Sequence, residues 1–140
     1  MSKIAVVYWS GTGNTEEMAN SVAQGAKDAG AEAEVIFATQ FKAEDMSSYD
    51  AIAFGCPSMG AEQLEDTEFE PVFNDCKPKL SGKRIALFGS YGWGDGEWMR
   101  TWESDCNDAG AVLVCESVIC CETPDDEAKQ KCAALGKALA

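Results

Sequence analysis

The chain has 140 residues, which by size is one compact domain with room for a sizeable core and too few residues for two. A formal net charge of -13 argues against nucleic acid or an anionic membrane as partner, and the complete absence of histidine removes Ser-His-Asp and Cys-His nucleophile systems. No apolar run approaches a membrane span, and the first residues enter a short strand instead of a signal peptide, so a cytoplasmic protein is expected.

Lys3–Trp9 is β-rich and mostly apolar, as in a strand buried on both faces of a parallel sheet. The turn Ser10-Gly11-Thr12-Gly13-Asn14-Thr15 follows, and then Met18, Ala19, Val22, Ala23 and Ala26 recur at helical spacing. A strand, a turn of glycines and hydroxyls and a helix N-terminus form an anion cradle, with backbone N–H groups and the positive end of the helix dipole facing the charge. The turn has no lysine before its hydroxyls and no third glycine at the dinucleotide step, so it suits a single terminal phosphate. The competing reading is a plain helix cap in which Asn14 and Glu17 pair.

Gly30 stops this helix, and Ala33–Phe37 reads as the second strand and Ala51–Cys56 as the third. Phe69, Val72, Phe73 and Cys76 mark a helix with Pro71 in its first turn. Arg84–Gly89 is the fourth strand, followed by a helix carrying Met99, Trp102 and Cys106 on one face. The fifth strand lies within Ala111–Cys120, and a helix after Pro124 buries Cys132, Leu135, Gly136 and Leu139. Strict alternation of strand and helix means an α/β domain whose parallel sheet is covered on both faces. The seven cysteines include no Cys-x-x-Cys pair and are read as reduced thiols, with Cys56, Cys76, Cys106 and Cys132 as small buried hydrophobes.

In such sheets ligands bind beyond the carboxyl ends of the strands. Three loops leave those ends here: Ser10–Thr15, Pro57–Glu65 and Ser90–Glu97. The second offers Met59 beside Gly60, and the third sets Trp93 between Gly92 and Gly94, where its indole is free to cover a flat ligand. Taken singly, Met59 could be core filler, and Tyr91 and Trp93 surface aromatics.

The segments Tyr8–Thr15, Met59-Gly60 and Leu87–Gly94, in that order and spacing, resemble the three signatures of the short-chain flavodoxins of anaerobic bacteria, clostridial type. The resemblance spans the whole chain, 1–140, as a single flavodoxin-like domain. It implies a three-layer αβα fold with a five-stranded parallel sheet of order 2-1-3-4-5. Flavodoxins are themselves a standard instance of ligand binding where strand order reverses, so that placement comes from the resemblance. It further implies non-covalent FMN and a low-potential one-electron carrier that shuttles between semiquinone and hydroquinone. Such a carrier serves reductases and other redox enzymes in place of ferredoxin and is not itself an enzyme.

By the same resemblance, Ser10, Thr12, Asn14 and Thr15, with the backbone of Gly11 and Gly13, would hold the phosphate. Trp93 would cover the outer flavin face and Met59 the inner, with Trp9, Pro57, Ser58, Ser90, Gly94 and Asp95 at the margins. Tyr91 and Gly92 would border the ring, and Glu62 would accept from the pyrimidine N–H. The Gly60 carbonyl would turn toward the flavin, with Ala61 standing where relatives often have a small polar residue. The partners implied are redox proteins with basic docking surfaces, steered by Glu62, Glu65, Asp66, Glu68, Asp95 and Glu97, and the protein would be a monomer that binds no nucleic acid and no membrane. An FMN-dependent quinone or nitro-reductase on the same fold is the enzyme alternative. A signalling receiver would need clustered acids where this chain has Trp9-Ser10-Gly11.

Overall fold

The structure, a computed structural model, describes residues 2–59, 63–92 and 94–140. The chain runs β1 (Lys3–Tyr8), α1 (Asn14–Asp28), β2 (Glu32–Phe37), β3 (Ala51–Gly55), α2 (Phe69–Cys76), β4 (Arg84–Tyr91), α3 (Glu97–Asp108), β5 (Val112–Leu113), β6 (Val118–Cys121) and α4 (Asp126–Leu139). The expected strict alternation fails between β2 and β3, which are joined by two short 3-10 turns, Ala38–Gln40 and Ala43–Ser48. All pairings between these strands are parallel, and the order β2-β1-β3-β4-β5 is the one expected.

The fifth strand departs from expectation. It is two pieces, both paired to β4: Arg84 and Ile85 face Val112 and Leu113, and Phe88 to Tyr91 face Val118 to Cys121. From Ile85 to Phe88 is three residues and from Leu113 to Val118 five, so two extra residues bulge out of the edge. An edge strand tolerates this because only one side of its ladder is paired. The lower piece opposes the start of β4 and the upper piece its end, which carries β4 two residues beyond the expected stop at Gly89.

Side chains alternate across the sheet with period two. On one face Ala5, Val7, Ile52, Phe54, Ile85 and Leu87 pack under α2 and α3, where Phe73 meets Phe54 and Trp102 edge-on at 5.3 and 5.6 Å. On the other face Ile4, Val6, Ala51, Ala53, Ala86 and Phe88 pack under α1 and α4. The alanines there leave room for the helices to sit low. These two helices also touch backbone to backbone: a Cβ on Gly136 would stand 2.0 Å from the Val22 carbonyl oxygen, and one on Gly25 2.0 Å from that of Ala133.

Cys56, Cys76, Cys106 and Cys132 are all buried, as the pattern indicates. Burial pushes the thiols of Cys106 and Cys132 up to about 12 and keeps them protonated. Among the described residues no helix is long and apolar enough to cross a membrane.

Candidate functional site

β1, β3, β4 and β6 all end at one edge of the sheet, and a cleft of about 450 Å³ opens there. That volume suits a small-molecule site. Its walls are Trp9, Ser10, Gly11, Thr12, Asn14 and Thr15 from the loop after β1, Pro57, Ser58 and Met59 from the loop after β3, and Ser90, Tyr91 and Gly92 from the end of β4. Gly13, Gly94 and Asp95 are not among its lining residues. Gly60, Ala61, Glu62 and Trp93 lie outside the described residues.

In the first loop the Asn14–Glu17 capping pair does not form, and the start of α1 is left without a side-chain cap. Gly13 takes the cap position at φ 96, without a side-chain cap, and Asn14 is already the first helical residue. That backbone conformation costs any residue with a Cβ, so the turn requires glycine. The Ser10 hydroxyl accepts from the Gly13 N–H at 3.0 Å, which leaves its own proton to donate. The first-turn amides of α1 have no carbonyl partner within the helix. Thr15 is 1 % exposed, and its Oγ1 has no hydrogen-bond partner among the described residues. A buried hydroxyl without a partner costs about 1–3 kcal/mol, so it marks a place where something else supplies the acceptor.

Tyr8 donates to the Glu16 carboxylate at 3.0 Å beside this turn. Burial first, and Glu16 second, raise the Tyr8 phenol above its ordinary value, so it stays a donor.

The loop after β3 is anchored to β4 by the Cys56 N–H on Phe88 O (3.1 Å) and the Ser58 N–H on Ser90 O (3.0 Å). Met59 and Gln63 exchange both backbone bonds, at 2.8 and 3.0 Å. Met59 is 37 % exposed, so it is not core filler but an apolar side chain offered to the cleft.

Glu65 is not the surface acid it was expected to be: it is 5 % exposed and accepts from the Thr67 hydroxyl and the N–H groups of Thr67 (3.1 Å), Glu68 (2.7 Å) and Phe69 (2.9 Å). Its sequence position leads into α2, whose free first-turn donors draw the carboxylate inward. Burial alone pushes its pKa up, but the Thr67 hydroxyl and the backbone donors together outweigh that and hold the carboxyl below its ordinary value. Asp66, Glu68, Asp95 and Glu97 are exposed, with Asp95 paired to Arg100 at 3.0 Å.

Tyr91 is half-buried, its ring 5.6 Å from that of Trp98, whose indole N–H reaches Cys56 O at 3.2 Å. Trp98 was not singled out in the sequence. Two further cleft residues, Glu122 and Thr123, come from the loop after β6. The Ser90 hydroxyl donates to Glu122 O at 2.6 Å and the Glu122 N–H reaches Tyr91 O at 2.7 Å, while Glu122 holds φ 59. The same rule that located the other three loops points to this one, since it too leaves the carboxyl end of a strand.

Among the described residues, Glu122 is the one charged residue lining the cleft. An anion here would be met by hydroxyls, amides and the α1 dipole alone. A cradle with an unpartnered buried hydroxyl, an exposed methionine and a cleft of this size fit FMN, which combines a phosphate, a polyol chain and a flat ring.

Comparison with known proteins agrees. Residues 6–136 match the family model described as Flavodoxin. The chain is 47% identical over 137 residues to a flavodoxin of Megasphaera elsdenii, covering 98% of each, and 44% identical over 135 residues to one of Clostridium beijerinckii, covering 96% of this chain and 97% of the other. A solution structure of two-electron reduced Megasphaera elsdenii flavodoxin superposes with a TM-score of 0.90 over 97% of both chains, at 47% identity. A flavodoxin from the domain Archaea superposes at 0.85 with 26% identity, over 99% of this chain and 96% of the other. The chain belongs to the flavodoxin family, whose members carry electrons on bound FMN.

Proposed function

We propose that residues 1–140 act as one FMN-binding unit, a low-potential carrier of single electrons and not a catalyst, working as a cytoplasmic monomer. The observation that carries this reading is the buried, unpartnered Thr15 hydroxyl at the N-terminus of α1. It is a donor without an acceptor where a helix dipole favours negative charge. Ser10, Thr12, Asn14 and Thr15, with the amides of Gly11 and Gly13, hold the phosphate. By the family resemblance Met59 and Trp93 would flank the ring and Gly60, Glu62, Tyr91 and Gly92 would border it, with Ala61 following Gly60 in the same loop, while Pro57, Ser58 and Ser90 line the cleft. Trp9, Gly94 and Asp95 sit at the margin.

Bound FMN supplies reversible one-electron chemistry. The chain's own contribution is electrostatic: no lysine or arginine is found among the described lining residues, so added negative charge on the ring meets no counter-ion. A unit charge about 10 Å away contributes about 1.7 kcal/mol at an effective dielectric of 20. Exposed Asp66, Glu68 and Glu97 add charge of the same sign. The same acids suit partners with basic docking surfaces.

The test is a titration of apoprotein with FMN, followed by steady-state assay of the complex with NAD(P)H and a quinone or nitroaromatic acceptor. One FMN per chain without turnover is expected. Sustained turnover by the pure protein would favour the reductase alternative instead.

A further inference from the structure

One hydrogen bond ties together two of the loops at the cleft. Trp9 continues the β1 ladder by one residue, its N–H on Gly55 O at 3.0 Å, and its ring lies over Gly11, where a Cβ would stand 3.1 Å from the ring. Its indole N–H donates to Glu68 Oε1 at 2.9 Å. Among the described residues this is the only hydrogen bond joining the loop after β1 to the loop between β3 and α2. The acceptor is exposed, but its backbone is anchored, because the Glu68 N–H is held at 2.7 Å by Glu65. Glu65 in turn is buried, with its N–H on Cys56 Sγ at 3.4 Å. An indole has a single donor, and here that donor is engaged.

We infer that Trp9 is a positioning residue acting through Glu68, a strut that sets the spacing between the phosphate side of the cleft and the ring side. This rests on the proposed FMN site. Glu68 is then a part of the cleft's frame and not only a docking charge. A ligand that touches one loop is indifferent to such a strut, whereas a ligand that spans both depends on it.

The experiment measures two ligands on the full-length apoprotein: FMN, by flavin fluorescence, and inorganic phosphate, by the amide shifts of Gly13 and Thr15. Trp9→Phe keeps a ring over Gly11 but removes the donor, Glu68→Ala removes the acceptor, and Glu68→Gln keeps an acceptor. Expected are a loss of about tenfold in FMN affinity for Trp9→Phe and for Glu68→Ala, no greater loss in the double variant, and recovery to within about threefold of wild type in Glu68→Gln. Phosphate affinity should stay at the wild-type value throughout.

Unchanged FMN affinity in Trp9→Phe overturns the strut, and so do losses that multiply in the double variant. An equal loss of phosphate affinity overturns it as well, since Trp9 would then act on the cradle alone. Wild-type protein that bound no phosphate and no FMN would instead defeat the site on which the inference rests.

Discussion

Replacing Thr15 by valine should move apoprotein stability and FMN affinity in opposite directions. Valine keeps the branched shape and removes the Oγ1 that is buried without a partner. In the apoprotein the unsatisfied hydroxyl costs about 1–3 kcal/mol, and its removal returns that amount. For a chain of this size each kcal/mol is about 2–4 °C in thermal midpoint. On the proposed assignment the hydroxyl would donate to a phosphate oxygen of bound FMN, a charge-assisted bond of about 1.5–3 kcal/mol, so FMN should bind about 10- to 150-fold more weakly to the variant. Thr12 supplies the control. It is exposed, so Thr12→Val should leave the apoprotein midpoint unchanged while still weakening FMN. Calorimetry of the apoproteins and fluorescence titration with FMN measure both quantities. A lowered apoprotein midpoint in Thr15→Val, or an unchanged dissociation constant, would refute the assignment of that hydroxyl to the phosphate.

Four further outcomes are expected. Gly136→Ala places a Cβ 2.0 Å from Val22 O and 2.9 Å from Ala26 N, so α1 and α4 must part, costing about 1–3 kcal/mol by urea denaturation. Glu65 has a depressed pKa in the folded chain, so its stabilisation is present above about pH 4.3, the unfolded value, and is lost as pH falls through the folded value. The urea midpoint should therefore fall more steeply with acid in wild type than in Glu65→Gln. Trp93→Ala should recover part of the flavin fluorescence quenched in the complex and weaken binding by about 1–3 kcal/mol, and no change in either would remove Trp93 from the ring face. Association with a basic reductase, followed by stopped flow, should slow as salt rises, because charges beyond about 8–10 Å are screened at physiological ionic strength.

The sheet was legible because each central strand obeys its own local rule. β1, β3 and β4 are short, mostly apolar runs, and each is followed by a glycine-containing loop and a helix of clear period. The break between β5 and β6 was not legible. Val112 to Cys121 holds apolar and polar residues that satisfy one strand or two, and the bulge is fixed by pairing to β4, which is not local. Glu65 was misread for a related reason. A run of acids looks like a solvated face, and only the open donors at the start of α2 single out one of them for burial. That the first loop lines the cleft could be read because its candidate residues are contiguous from Ser10 to Thr15. Trp98 is tied to the site only by its bond to Cys56 O, a contact between distant segments, whereas the loop of Glu122 and Thr123 could be located by the strand-end rule once the end of β6 is known.

Several departures from ordinary folding rules lie at one edge of the sheet, although the buried Trp102 Nε1, packed against Phe69 and Phe73, also has no partner among the described residues. Glu122 is the one non-glycine residue with positive φ among the described residues, Thr15 carries a buried hydroxyl without a partner, and Met59 offers an apolar side chain to the cleft. None of these helps the chain fold. Two other helices do receive a side chain at their start: Glu65 at α2, and at α4 Asp125, whose carboxylate takes the Ala128 N–H at 2.8 Å. The start of α1 receives no such side chain. Two helices are served by acids, while α1 and α3 each start at a left-handed glycine without a side-chain cap; at α1 a buried hydroxyl without a partner lies beside the open amides, and that pairing supports the proposed phosphate site.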